Sequence, residues 1–191
     1  ADVAAGTAFG TLVHEVFEAY DPTSTDLESE MLDTVHTALR RNRVPVDPAA
    51  LAGGLVLAAR TPLGPIAGGL RLTDIGTADR LAELEFDLPL AVGAGTIAAA
   101  DIGNVLVRTL PSDDPMLDYA RDLANGRFTV DLAGFLQGSI DAVLRVPSGD
   151  GFRYLVVDYK TNRLHQRGTP DPLSAYHPDH LVGAMTHSDY P

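Results

Sequence analysis

The stretch that most constrains this chain is Leu136–Asn162, LQGSIDAVLRVPSGDGFRYLVVDYKTN. It reads as two β-strands, roughly Gln137–Val146 and Phe152–Tyr159, joined by the turn-forming Pro147-Ser148-Gly149-Asp150-Gly151. A hairpin centred between Gly149 and Asp150 sets Asp141 opposite Asp158. Opposed residues of an antiparallel pair have Cβ atoms roughly 4.5–5.5 Å apart, and like charges so placed repel. A divalent cation would neutralise them, because hard carboxylate oxygens suit Mg²⁺ or Mn²⁺. Lys160 lies two residues beyond Asp158, and the strand period puts it on the same face.

The plainer alternative is a surface hairpin with solvated charges. Two observations favour chemistry over it. Asp is depleted from strands, yet Asp158 interrupts a strongly apolar run. Of the 14 basic residues, thirteen are Arg, and Lys160 is the sole lysine. Ammonium and guanidinium are not interchangeable where a compact charge must touch water or phosphate.

The rest of the chain supplies helices and one further strand. Gly6–Tyr20 carries Phe9, Leu12, Val13, Val16, Phe17 and Tyr20 at helical spacing, a single apolar stripe. His14 lies off that stripe, with Glu18 at i+4, and each has an ordinary structural reading as a surface or hydrogen-bonded residue. Asp21-Pro22 breaks the helix, and Thr25-x-x-Glu28 reads as a capping box opening a second one through about Arg41. Arg40, Arg41 and Arg43 complement the dipole at its end, or touch phosphate. Asp47-Pro48 starts a third helix to about Arg60, and Thr61–Gly69 is a loop.

Leu81–Leu90 alternates as a strand, with Leu84, Phe86, Leu88 and Leu90 on one face and Glu83, Glu85 and Asp87 on the other. Ala91–Gly95 is a turn, Ala98–Leu110 and Asp114–Asn125 are helices, and Leu181–His187 begins another. Arg163, His165 and Arg167 form the only basic patch near the hairpin, which makes Arg163 and Arg167 the candidate contacts to an anionic ligand.

Composition excludes several classes. At 191 residues the chain is long enough for one ordinary domain, and without cysteine it has neither disulfides nor thiolate metal sites. No apolar run reaches the length of a membrane span, and no basic, apolar leader opens the sequence. It starts without a methionine and stops in mid-pattern, so residues 1–191 are expected to be a piece of a longer protein. A net charge of −12 argues against unaided binding to nucleic acid.

Asp141 followed by Asp158-Tyr159-Lys160 resembles the core of the PD-(D/E)xK nuclease superfamily. The strings GSIDAV and VVDYKTN, with GTAFGTLVHEVFE upstream and LAELEFDLPL between, are similar to the C-terminal nuclease domains of the RecB family, in an actinobacterial composition. The resemblance implies an α/β fold, a restriction-endonuclease-like core with a mixed central sheet flanked by helices. It implies Mg²⁺-dependent hydrolysis of DNA, as exonuclease or endonuclease, in double-strand-break repair by a cytoplasmic exodeoxyribonuclease V-type enzyme. Mn²⁺ or Ca²⁺ could take the metal's place.

Asp141, Asp158 and Lys160 would then be catalytic, with His14, Asp141, Asp158 and the Tyr159 carbonyl as metal ligands and Glu85 and Glu18 as additional members. Expected partners are DNA delivered by a helicase, RecC- and RecD-like subunits and a RecA-type recombinase, with no membrane. The glutamine- and tyrosine-bearing QxxxY helix of that family does not occur before Pro191. Two alternatives stay open: a non-catalytic docking domain for partner subunits or a recombinase, and the nuclease domain of an AddA-, AdnA- or Cas-type protein. The absence of cysteines weighs against the iron–sulfur versions of the latter.

Overall fold

The computed structural model describes residues 6–90, 96–165 and 170–187. In chain order the elements are α1 (Thr7–Ala19), α2 (Leu27–Arg41), α3 (Pro48–Ala59), β1 (Arg80–Pro89), β2 (Ile97–Ala98), α4 (Ala99–Thr109), α5 (Leu117–Ala124), β3 (Asp131–Leu132), β4 (Phe135–Ser148), β5 (Gly151–Val157) and α6 (Pro178–His187). Short 3₁₀ turns precede β1 and α6. The chain divides into two compact units. One holds the residues up to Glu85 together with Gly138–Asn162, and the other holds Phe86–Gln137 and the residues from Arg163 on.

The first unit is built on the apolar stripe of α1. Phe9, Leu12, Val13, Val16, Phe17 and Tyr20 are all buried, with Leu27, Met31, Val35 and Ala38 of α2 and Ala52, Leu55, Val56 and Ala59 of α3. Ala142, Leu144 and Val146 of β4 close this core, and Leu155, Val157 and Tyr159 pack against it. The two-residue period of a strand explains the choice, since alternate residues face one side. The cap of α2 differs from the sequence reading. Its N-cap is Asp26, whose carboxylate accepts from the Ser29 N–H, so the Thr25-x-x-Glu28 box does not form. Asp47 caps α3 as expected, accepting from the Ala49 N–H with Pro48 at the first helical position.

The sheet runs in the order β1-β4-β5. The hairpin β4–β5 is antiparallel, pairing Ala142 with Val157 through Ser148 with Gly151. Its turn is therefore only Gly149-Asp150, shorter than the five-residue turn read from sequence. Gly149 takes a left-handed φ of 56°, which glycine adopts without strain. Contacts step up β1 as they step down β4: Leu90 N–H to the Gly134 carbonyl, Asp87 to Gln137, and Asp79, just ahead of β1, to Arg145. Hence β1 is antiparallel to β4 as well. Within β1, Glu83 has φ 50°, an uncommon value for a residue with a side chain.

The second unit is smaller in its core. Helices α4 and α5 bury Ala99, Tyr119 and Leu123, with Leu106 packed against them. The two backbones meet closely: a Cβ built on Gly103 would lie 2.3 Å from the Ala124 nitrogen. Beside them β2 and β3 pair through Ile97 with Leu132 and Ala98 with Asp131, a ladder too short to show in the sequence pattern. The helix expected from Asp114 starts at Leu117, because Asp114 spends its carboxylate on the Met116 N–H in the preceding turn. The turn expected at Ala91–Gly95 lies outside the described residues. No helix among the described residues is long and apolar enough to cross a membrane.

Candidate active site

Helix α1 places His14 one turn after Gly10. A Cβ on Gly10 would come within 3.3 Å of the Thr161 hydroxyl, so the missing side chain lets α1 lie close to the segment following β5. From that position His14 Nε2 lies 2.8 Å from the Tyr159 carbonyl oxygen, and Nδ1 lies 3.2 Å from Asp141 Oδ1. The other oxygen of Asp141 accepts from the Tyr159 N–H at 2.6 Å. Asp141 is thus held by main chain and imidazole together, with a side chain only 10 % exposed.

This arrangement also explains where β5 stops. The register pairs Ala142 with Val157, and its continuation would set Asp141 against Asp158. The strand ends at Val157 instead, because the next inward N–H, that of Tyr159, goes to the Asp141 carboxylate. Asp158 lies one residue past the strand, and its Oδ2 is 2.5 Å from Lys160 Nζ. The expected juxtaposition of Asp158 and Lys160 is therefore present as a direct ion pair. Asp158 is more open than Asp141, with a side chain 54 % exposed.

Among the described residues, no three His, Asp or Glu side chains lie close enough together to hold a metal ion by themselves. The third donor beside His14 and Asp141 is the Tyr159 main-chain carbonyl. The donor chemistry fits a hard divalent cation. Two acceptors, the Asp141 carboxylate and the Tyr159 carbonyl, face a single imidazole. If Nε2–H donates to Tyr159, a neutral ring turns its Nδ1 lone pair toward a carboxylate oxygen. A metal ion held among these donors would satisfy the carboxylate and the carbonyl together. Carboxylate, carbonyl and imidazole are ligands that Mg²⁺ and Mn²⁺ accept.

The Tyr159 ring turns the other way, into the core. It stacks on Phe17 at 4.6 Å between centroids and meets the His14 ring edge-on at 6.1 Å. Burial, partly offset by the nearby Arg80 charge, pushes its phenol up to about 12. The Arg80 guanidinium donates to the Phe17 and Glu18 carbonyls, at 2.5 and 2.9 Å. Sequence reading missed Arg80 entirely, and no local pattern marks it. Gly10 did leave a signal, since glycine inside an otherwise regular helix points to a close approach.

Other expected members stand apart. Glu18 and Glu85 are exposed, and neither side chain is brought to His14 or Asp141 by any recorded contact among the described residues. Arg163 is half-buried, and Arg167 lies outside the described residues. Arg41 reaches Glu15 of α1 at 2.7 Å, which ties α2 to α1.

Residues 1–178 match the PD-(D/E)XK nuclease superfamily. The chain belongs to that superfamily, and the α/β architecture above is its restriction-endonuclease-like core. It is 46% identical over 194 residues to the RecBCD enzyme subunit RecB of Mycolicibacterium smegmatis. To the subunit of the same name in Mycobacterium tuberculosis it is 45% identical over 196 residues. Each alignment covers 97% of this chain and 17% of the relative, so the chain spans about a sixth of the length of these curated relatives.

Proposed function

We propose that this chain is the metal-dependent deoxyribonuclease domain of a RecB-type helicase–nuclease, hydrolysing DNA phosphodiester bonds with Mg²⁺. The observation that carries the reading is the convergence of His14, Asp141 and the Tyr159 carbonyl beside the Asp158–Lys160 pair, within a nuclease superfamily chain. His14, Asp141 and the Tyr159 carbonyl would hold the ion, and Asp158, which the structure pairs with Lys160 rather than with those three, would have to turn toward them to complete the set. When bound, it supplies Lewis-acid polarisation of a phosphate oxygen and a lowered pKa for water.

The chain's own groups do the rest. Asp141, pinned by the Tyr159 N–H, keeps one carboxylate fixed, while Asp158 stays more open to solvent. Lys160 Nζ, held at Asp158, orients the attacking water and offsets negative charge developing on the phosphate. A net charge of −12 supports a substrate strand fed in by a motor rather than captured by this surface. The names of the relatives support RecC- and RecD-like partners in a RecBCD-type repair complex.

Calorimetric titration of the intact parent chain with Mn²⁺ tests the reading. Binding in the micromolar-to-millimolar range, common for open carboxylate sites, is expected, with that component abolished in Asp158→Ala. Undiminished binding in the variant overturns the site. His14→Ala should weaken the same component without a large drop in melting temperature, because His14 lies off the buried stripe of α1.

A further inference from the structure

Beneath the candidate site lies a buried polar cluster with no task in the chemistry just described. Among the described residues, three buried side-chain atoms find no hydrogen-bond partner: Tyr20 Oη, Tyr159 Oη and Arg80 Nη1. All three groups pack around Phe17. The Phe17 ring stacks on Tyr159 and meets Tyr20 edge-on at 5.8 Å, and the Arg80 guanidinium lies 4.6 Å from the centre of the Tyr20 ring. Arg80 Nη2 donates to the carbonyls of Phe17 and Glu18, one turn beyond His14 on the same helix. A cation here also complements the negative end of the α1 dipole.

The two site atoms that face each other across 2.8 Å, His14 Nε2 and the Tyr159 oxygen, sit on separate pieces of chain. Both pieces run through this cluster. The end of α1 is held by Arg80, and Tyr159 is held through the Phe17 ring. We infer that Arg80 is the positioning residue of the metal site, fixing the end of α1 against the residue between Asp158 and Lys160 so that His14 and the Tyr159 carbonyl keep one separation. A guanidinium suits the task, since one of its nitrogens, Nη2, donates to both carbonyls while its charge sits against the Tyr20 ring.

This inference rests on the metal-site reading above, and its test separates the two. Mn²⁺ binding is measured by calorimetry on the intact parent chain as the component lost in Asp158→Ala, with melting temperature recorded alongside. Groups that orient metal ligands typically cost 10–100-fold in metal affinity when removed. Arg80→Ala is expected to weaken the component about tenfold or more, and Arg80→Lys to recover part of the loss, because an ammonium can donate to the helix-end carbonyls but has no planar face to set against the Tyr20 ring. Cleavage of single-stranded DNA should need correspondingly more Mg²⁺ for half-maximal rate, while the rate at saturating Mg²⁺ stays within about threefold of the parent.

A lower melting temperature with unchanged Mn²⁺ affinity overturns the positioning role and leaves Arg80 a helix-end support. Should Arg80→Ala fail to fold, Arg80→Lys decides the same question by the same two measurements. If the parent chain has no component sensitive to Asp158→Ala, the metal site itself falls, and this inference with it.

Discussion

The two units of this molecule solve the same packing problem with unequal means. The first buries nineteen residues in one cluster drawn from α1, α2, α3, the 3₁₀ turns and the hairpin. Among the described residues of the second, the cluster holds three, with Leu117 and Ala120 buried besides, and α4 and α5 come together through a glycine with almost no side chain between them. Every candidate site residue that the structure brings into contact, His14, Asp141, Asp158, Tyr159 and Lys160, belongs to the first unit. Positioning atoms to a few tenths of an ångström demands a core that does not yield, and close packing supplies that rigidity. The difference therefore reads as a division between a stiff platform and a lighter companion.

The largest test strikes the platform. Leu12 is fully buried at the centre of α1, and Leu12→Ala should cost about 3–5 kcal/mol in denaturant unfolding. Leu123→Ala in the second unit should cost about 2 kcal/mol, at the low end for such truncations, because fewer neighbours surround it. Equal losses would erase the contrast. Next comes chemistry. Lys160→Arg and Lys160→Ala should both lower Mg²⁺-dependent cleavage by the intact chain about 10²-fold or more, while both still bind Mn²⁺. Near-normal cleavage by the arginine variant would show that Lys160 contributes charge alone.

A smaller effect is expected at the helix crossing. Gly103→Ala forces a methyl group to within 2.3 Å of the Ala124 nitrogen, and relieving that clash should cost about 1–3 kcal/mol. Hydrogen exchange should quicken in α4 and α5 and not in α1, which confines the damage to the second unit. The smallest effect is alkaline. Because the Tyr159 phenol is raised from 10.0 to about 12 in the folded chain, the folded state holds that proton more tightly than the unfolded one. Its contribution is intact below pH 10 and is lost as pH rises through 12. Tyr159→Phe should flatten the stability curve in that window and leave neutral-pH stability nearly unchanged, since it removes a buried hydroxyl that lacked a partner.

Much of the platform could be read directly from the chain. The α1 stripe matched the buried set, since helical periodicity is a local property that survives folding. The hairpin register followed from its short turn, which fixes pairing by chain length alone. The loss of pairing at Asp158 was not legible, because it depends on Asp141 drawing the Tyr159 N–H out of the ladder. Arg80 was equally hidden. It acts on carbonyls of residues some sixty positions away, and a contact between a side chain and distant main chain leaves no trace in composition or spacing. The partition into two units escaped notice for a similar reason. The chain passes from one to the other three times, twice inside continuous strands, between Glu85 and Phe86 and between Gln137 and Gly138, and once after β5, between Asn162 and Arg163.

Those crossing points have a consequence for modularity. Near the two that fall within strands, β1 and β4 lie side by side, bonded from Gln137 to Asp87 and from Leu90 to Gly134. Everything between Leu90 and Gly134 is thus an insertion whose two ends emerge from neighbouring rungs of one ladder. Excising it and bridging Leu90 to Gly134 with a short turn would leave a three-stranded meander whose register is unchanged. Growth, shrinkage or exchange of that inserted segment can then proceed without shifting Asp141 along its strand, so the chain can acquire new surface while the hairpin and its carboxylate stay in place.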